Sequence, residues 1–239
     1  MKVAVIFIGT GKYLNFLPSW YERCEEKFLP DIEKRYFVFT DGEIPESPEN
    51  VSVYQTEHLD WPYITLYRFD IIGKSRGELL QYDWLVFLDA DMAVVDTVTK
   101  EEFFDDTKKY IGVHHPCHYL KMPPHDRFPG SFETSPLSTA KVSDEYDFSI
   151  YWQGCLWGGK IPDVIEMMDE LHERIMKDEE NNIIAQWHDE SHLNAFYSER
   201  VSEVNTLNPS FAFPEVFSES CTFNPKIVHL AKDNSKYHV

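Results

Sequence analysis

The chain has 239 residues, 43% of them hydrophobic and 15% aromatic, which supplies a packed core and excludes a disordered chain. Against 22 Lys and Arg stand 41 Asp and Glu, and the formal net charge of -19 sets the mean field against nucleic acid and anionic membrane surfaces. Such acidity serves solubility, and it still admits a small anionic substrate where a divalent cation stands between the two negative partners.

MKVAVIFIGTGKY reads as a buried strand over Val3–Ile8 that breaks at Gly9 and Gly11. A helix is expected over residues 18–28, then a strand in RYFVFTDG (35–42), a third strand in VSVYQTEH and a helix over 64–80. WLVFLDAD is the fourth strand. Apolar strands alternating with helices predict an α/β fold with a mostly parallel sheet covered on both faces. Ligands of such sheets collect beyond the carboxyl ends of the strands. Gly9–Gly11, Thr40–Asp41 and Asp89–Asp91 lie at three such ends and are expected to converge on one pocket.

The second half reads as a strand in YIGVHHPC, a polar loop rich in Pro and Ser over 121–147, and a strand in SIYWQGCLWGG. An amphipathic helix over 162–177, a short helix from Asp189, an irregular aromatic stretch to Phe223, a strand in KIVHL and a polar tail complete the chain. No repeat or linker separates independent units, so a single domain over 1–239 is expected. Cys24, Cys117, Cys155 and Cys221 form no CxxC pair, which fits free thiols in a reducing compartment. No apolar run approaches the roughly 18 residues of a membrane span, and the expectation is a soluble, cytoplasmic protein without a signal peptide or anchor.

Three motifs carry chemistry. Asp89 and Asp91 are two positions apart, so in an extended segment both carboxylates face one way and repel unless a cation neutralises them. An oxygen-preferring ion that bridges phosphates, Mn²⁺ or Mg²⁺, suits the pair; a turn cap at Asp91 and a salt bridge at Asp89 is the structural alternative. GTGK (9–12) fails the Walker pattern, leaving a glycine turn that lets backbone approach a nucleotide or simply a tight turn. WHDESHLN (187–194) concentrates polar groups. His188 and His192 are spaced to share a helical face, yet Asp189 follows the first His and Glu190 takes the third position, which departs from HExxH. A helix start with an acidic first turn, or a carboxylate presented to substrate, are the two readings that remain.

In this order the segments resemble the family 6 retaining glycosyltransferases, which include the ABO blood-group transferases, α-1,3-galactosyltransferase and shorter bacterial and viral members. The resemblance runs from IFIGTGKY to HLAKDN and rests most on WHDESHLN and FLDADM, with RYFVFTD, YWQGCLWGG and LNPSF in support. It implies a nucleotide-sugar-binding fold of the GT-A type, with a nucleotide-binding half (1–95) and an acceptor-binding and catalytic half (96–239) whose tail closes over the site. It implies transfer of galactose or N-acetylgalactosamine from a UDP-sugar donor to a galactose-terminated glycan acceptor, α1,3-linked and with retention.

By matching position, Ile8, Gly9, Thr10 and Tyr13 would hold the uridine, and Arg68 the donor phosphate or sugar. Asp89, Ala90 and Asp91 form the DxD, with the two aspartates on Mn²⁺ or, in its place, Mg²⁺. Gln153, Gly154, Cys155 and Asp189 would border the donor sugar, and Lys232 would reach the diphosphate. Trp61, His115, Trp187, His188 and Glu190 would line the acceptor and reaction site, with Glu190 as the catalytic carboxylate. Cys155 is larger than the small residues usual there and leans the choice toward galactose, while Gln153 offers an amide contact that works the other way. Lys236 and His238 stand where basic tail residues are expected. A UDP-sugar-binding protein, a slow UDP-sugar hydrolase and a nucleotidyltransferase are the competing readings.

Overall fold

A computed structural model describes residues 1–121 and 131–237; His238 and most of the Pro-rich part of the predicted loop lie outside the described residues. The strands are β1 (Lys2–Ile8), β2 (Glu33–Thr40), β3 (Val51–Gln55), β4 (Trp84–Leu88), β5 (Met92–Val94), β6 (Tyr110–His114), β7 (Trp152–Lys160), β8 (Val204–Leu207), β9 (Phe213–Pro214) and β10 (Ile227–His229). The helices are α1 (Leu17–Lys27), α2 (Tyr63–Leu66), α3 (Arg68–Gly73), α4 (Arg76–Leu79), α5 (Lys100–Phe103), α6 (Pro116–Tyr119), α7 (Asp163–Glu180) and α8 (His188–Ser198).

Seven strands form the central sheet in the order β3-β2-β1-β4-β7-β6-β8, mostly parallel as the sequence predicts. Strand periodicity explains why it is covered on both faces. Val3, Val5 and Phe7 of β1 join Trp84, Val86 and Leu88 of β4 in one core with Trp20 and Phe28. The intervening Ala4, Ile6, Leu85 and Phe87 enter the opposite core with Phe69, Trp157 and Met168. The same face receives α7, whose Val164, Met167, Met168, Leu171 and Ile175 are buried at helical spacing.

Several elements differ from expectation. β7 runs antiparallel to both β4 and β6, the one reversed strand in the sheet. The helix expected over 64–80 is three short ones, interrupted at Tyr67 and Ser75, where the Ser75 hydroxyl donates to the Ile72 carbonyl and competes with the helical ladder. The break places Arg68 in the first turn of α3 with its side chain buried. The strand expected in YIGVHHPC stops at His114, because His115 caps α6 by accepting the Cys117 N–H at Nδ1. The aspartates of DAD lie in the turn between β4 and β5, closed by the Met92 N–H on the Asp89 carbonyl, not in an extended segment.

A second sheet, β5-β10-β9, ties the chain's end to that turn. β10 pairs antiparallel with β5, His229 opposite Met92, and the Leu230 N–H donates to the Asp91 carbonyl at 2.9 Å. Among the described residues, no helix is long and apolar enough to cross a membrane.

β7 lies against β4 so closely that a Cβ at Gly158 would stand 2.3 Å from the Leu85 carbonyl oxygen and 3.2 Å from the Val86 Cα. Both are backbone atoms of a central strand and cannot move aside. Gly158→Ala is expected to lose about 3 kcal/mol of stability, read as a lower urea midpoint with the slope unchanged; an unaltered midpoint would contradict this packing.

Candidate active site

Two clefts of about 380 and 290 Å³ open side by side at the carboxyl ends of β1 and β4, within the size range of small-molecule sites. They share Trp61, Thr65, Arg68, Asp89 and His229. The first is lined by Ile8, Thr10, Tyr13, Ala90, Asp91 and Lys232. The second takes His115, Gln153, Gly154, Cys155, Trp187, His188, Asp189 and Glu190. Every residue given a donor or acceptor role by the resemblance, except Gly9, therefore meets one wall or the other. Gly11, Thr40 and Asp41, expected to converge there, line neither cleft; Asp41 instead accepts the Gly11 N–H at 2.8 Å and ties the two strand ends together. Lys236 lines neither cleft. At Gly9 a Cβ would stand 2.4 Å from the Phe7 ring, so the glycine serves packing beneath the cleft, not the cleft itself.

Arg68 joins the two clefts. It is 6% exposed, lies over the Phe87 ring and donates through an Nη to the Gly154 carbonyl at 3.0 Å. The same Nη is 3.5 Å from Asp89, and its Nε is 3.3 Å from Asp189. Burial lowers the tendency of this guanidinium to stay charged, but Asp189 and Asp89 outweigh it. Burial raises Asp189 to about 6 despite Arg68. It raises Asp89 also, opposed by Arg68 and reinforced by the like charge of Asp91.

Asp91 has a different environment. Burial would raise it, yet His229 and Lys232 together hold its carboxyl well below the usual range. The His229 imidazole lies 2.9 Å from Oδ2, and the Lys232 ammonium ion-pairs with the same oxygen. Lys232 also lies over the Tyr13 ring, whose neighbours include Tyr237 and Phe16. These contacts set Lys232 and Tyr237 in the wall of the first cleft, and Lys12 adds a bond from its ammonium to the Lys236 carbonyl.

The divalent-ion reading can be tested against this donor set. Asp89 and Asp91 both line the first cleft with hard carboxylate oxygens, the donor type Mg²⁺ and Mn²⁺ prefer, with Oδ2 of Asp91 paired to His229 and Lys232. Among the described residues, no group of three or more His, Cys, Asp or Glu could hold an ion by itself. Two carboxylates fit an ion whose remaining ligands are substrate oxygens and water, as is usual for magnesium on phosphates.

Glu190, in the first turn of α8, is held at both oxygens. Oε1 accepts the Tyr151 O–H at 2.6 Å and Oε2 accepts the Gly154 N–H at 2.6 Å. A Cβ at position 154 would stand 3.0 Å from the Cβ of Glu190, so glycine permits this approach. Burial is the chief reason the Glu190 carboxyl is raised to about 7; the two donated hydrogen bonds oppose it.

His188 and His192 do not form a shared face. His188 has φ of +51° and packs against Trp61 at 4.6 Å, while His192 is buried 3.8 Å from Asp178. Asp178 in turn accepts from the Ser138 hydroxyl at 2.5 Å and the Thr139 N–H at 2.7 Å, anchoring the loop that precedes β7. This arrangement answers the HExxH comparison with a packing role for His192.

Residues not foreseen include His58, which pairs with Thr10 at 2.9 Å, and Thr65, Phe87, His229, Pro214 and Tyr237. His229 had a readable signal, a polar residue at the carboxyl end of the strand expected in KIVHL. Thr65 comes from α2, Phe87 from β4 and Pro214 from β9, while His58 and Tyr237 come from the loop before α2 and the tail.

The family model described as Glycosyltransferase family 6 matches residues 1–237. The O-antigen biosynthesis glycosyltransferase WbnI of Escherichia coli is 29% identical over 100% of this chain and 98% of its own length. The Homo sapiens Globoside alpha-1,3-N-acetylgalactosaminyltransferase 1 is 30% identical over 90% of this chain and 62% of its own. For the Rattus norvegicus Histo-blood group ABO system transferase 2 the figures are 29%, 81% and 58%. The chain thus spans nearly all of the bacterial relative and less than two thirds of these vertebrate ones.

Since Glu190 is raised to about 7 in the fold, above its unfolded value, its ionised form costs stability at pH 8, and that cost disappears below the unfolded value. Neutral, isosteric Glu190→Gln is expected to gain about 3 kcal/mol at pH 8 and about 1 kcal/mol or less at pH 5. Urea denaturation at the two pH values checks this, and a gain independent of pH would contradict the burial of the charge.

Proposed function

The chain belongs to glycosyltransferase family 6, and from that premise we propose that it moves galactose or N-acetylgalactosamine from a UDP-sugar to a galactose-terminated glycan in α1,3 linkage, with retention. The observation that carries this reading is one continuous wall, Asp89–Arg68–Asp189, that joins the cleft of the paired aspartates to the cleft of Glu190. A sugar nucleotide needs both: counter-charge for a diphosphate and, a few ångströms on, a carboxylate for the sugar. The α-1,3-N-acetylgalactosaminyl transfer in the name of the Homo sapiens relative supports the linkage and the sugar class.

Ile8, Thr10 and Tyr13 form the nucleoside end, at the carboxyl end of β1. Asp89 and Asp91 would hold a divalent cation, Mn²⁺ with Mg²⁺ as its substitute, which when bound supplies positive charge to the diphosphate. Arg68 and Lys232 supply fixed positive charge to the same end, where UDP gains negative charge as it leaves. The sugar becomes oxocarbenium-like as that bond breaks, and the anchored Glu190 carboxylate stabilises it. Asp189, fixed by Arg68, orients that positive charge between the two clefts. His115, Trp187, His188 and Trp61 receive the acceptor on the open side. The half over 1–95 carries the nucleoside end, Arg68 and the paired aspartates, and the half over 96–239 carries Glu190; Lys232, Gln153 and Cys155 cross from the second half to the donor, and Trp61 from the first to the acceptor. Cys155 and Gln153 border the donor sugar, and the Cys155 side chain favours galactose by crowding an acetamido group.

The test is release of UDP from UDP-galactose and UDP-N-acetylgalactosamine with Mn²⁺ or a chelator, with and without lactose. Release that needs Mn²⁺ and rises with lactose is the expected result, larger for UDP-galactose. Pyrophosphate release from a nucleoside triphosphate and sugar phosphate would replace the reading with a nucleotidyltransferase. Acceptor-independent release alone would leave a hydrolase.

Two substitutions separate the roles. Asp91→Asn is expected to lower Mn²⁺-dependent turnover by about 100-fold or more; turnover retained in a chelator would remove the cation from the reading. Glu190→Gln is expected to lower transfer by about 1,000-fold while the Kd for UDP stays within about twofold. A large loss of UDP affinity would place Glu190 at the wrong end of the site.

A further inference from the structure

Tyr151 lies outside both clefts, fully buried, yet it donates one of the two hydrogen bonds that hold the Glu190 carboxylate. Its ring has little freedom. It stacks on His118 at 5.0 Å with planes 17° apart, and meets Phe132 edge-on at 5.0 Å and His115 at 5.7 Å. Its carbonyl accepts the His115 N–H at 2.7 Å, which extends the β6–β7 pairing to the residue before β7.

The next residue is tied to the same helix turn. Asn194 accepts the Trp152 N–H at 2.8 Å and donates to both the Trp152 carbonyl (2.8 Å) and the Glu190 carbonyl (2.9 Å). The Glu190 main chain is therefore fixed to β7 through Asn194, and its side chain through Gly154 and Tyr151. Of these, the phenol is the donor that a single-atom change can remove.

We propose that Tyr151 is a positioning residue for the reaction: its phenol O–H fixes the orientation of the Glu190 carboxylate and favours the anion the transfer requires. The inference rests on the proposed role of Glu190. An ionised carboxylate only accepts hydrogen bonds, so a donor locked against it stabilises the charged form over the neutral one. The phenol itself stays protonated, because burial and the adjacent Glu190 charge raise it well above its ordinary range. The other charged or titratable groups around Glu190 are His188 and Asp189 on its own helix, Arg68 from α3, Asp89 after β4, Cys155 on β7, His115 after β6 and His229 from β10. None of them donates a hydrogen bond to its carboxylate among the described contacts, so the Tyr151 contact can be tested apart from them.

The experiment compares wild type, Tyr151→Phe and Glu190→Gln for kcat, donor KM, UDP affinity and the pH dependence of kcat. For Tyr151→Phe the expected result is a fall in kcat of about 10- to 100-fold, with donor KM and UDP affinity unchanged and the acidic limb of the profile displaced upward by about one pH unit. A wild-type kcat and acidic limb would overturn the inference, as would a loss confined to KM. Should Tyr151→Phe fail to fold, 3-fluorotyrosine at position 151 keeps the shape and makes the phenol a stronger donor. It is expected to move the acidic limb to lower pH, and an unmoved limb would overturn the inference. Full activity of Glu190→Gln would instead remove the reading of Glu190 on which the inference rests, which separates the two failures.

Discussion

The site is organised by one buried cation. Arg68 has almost no contact with solvent and stands between Asp89 and Asp189, with Phe87 beneath it and the Gly154 carbonyl on its Nη. A guanidinium taken from water is costly unless charge and hydrogen bonds replace its hydration. Here the replacement comes from three separate segments: the turn after β4, the middle of β7 and the first turn of α8. Neutralising Arg68 thus requires those segments to meet, and their meeting creates the wall between the clefts. The planar fork suits this task; a lysine would offer a single point of charge where several directions are needed.

The second constraint is topological. β10 returns the end of the chain to β5 in antiparallel register and sets His229 and Lys232 beside Asp91. Asp91 consequently carries compensating charge on one oxygen, while Asp89 faces Arg68 and the open cleft. Two carboxylates separated by a single alanine have unlike environments, one held ionised by a cationic tail and the other raised by burial and its neighbour. Such a pair can meet a diphosphate without presenting uncompensated negative charge to it.

Glu190 follows a third logic. Its position on the first turn of a helix would favour a negative side chain, but burial works against that charge and leaves the carboxyl near neutrality at about 7. Donors from β7 to each oxygen set its direction in the cleft. A carboxylate so placed is poorly solvated and strongly oriented, the condition under which electrostatic stabilisation of a developing positive charge is largest.

Much of this was legible in the sequence. The near-continuous apolar strands β1 and β4, the turn signals after them and their alternation with helices were enough for an α/β fold, local properties in which side-chain period and residue type decide the outcome. The family and most of the residues that line the clefts came from the resemblance carried by the ordered segments from GTGK to WHDESHLN. His58, Thr65, Phe87, Pro214, His229 and Tyr237 did not. Partnership was not local. That Arg68 balances both Asp89 and Asp189, that His229 and Lys232 share Asp91, and that His192 turns away from His188 toward Asp178 depend on contacts between segments far apart in the chain. The reversal of β7 belongs to the same class, whereas the break at Ser75 in the helix expected over 64–80 has a local cause in its hydroxyl. Sequence by itself determined most of the charged groups the site contains; tertiary structure added His58 and His229 and decided which charges face one another, because burial and distance set the strength of every interaction between them.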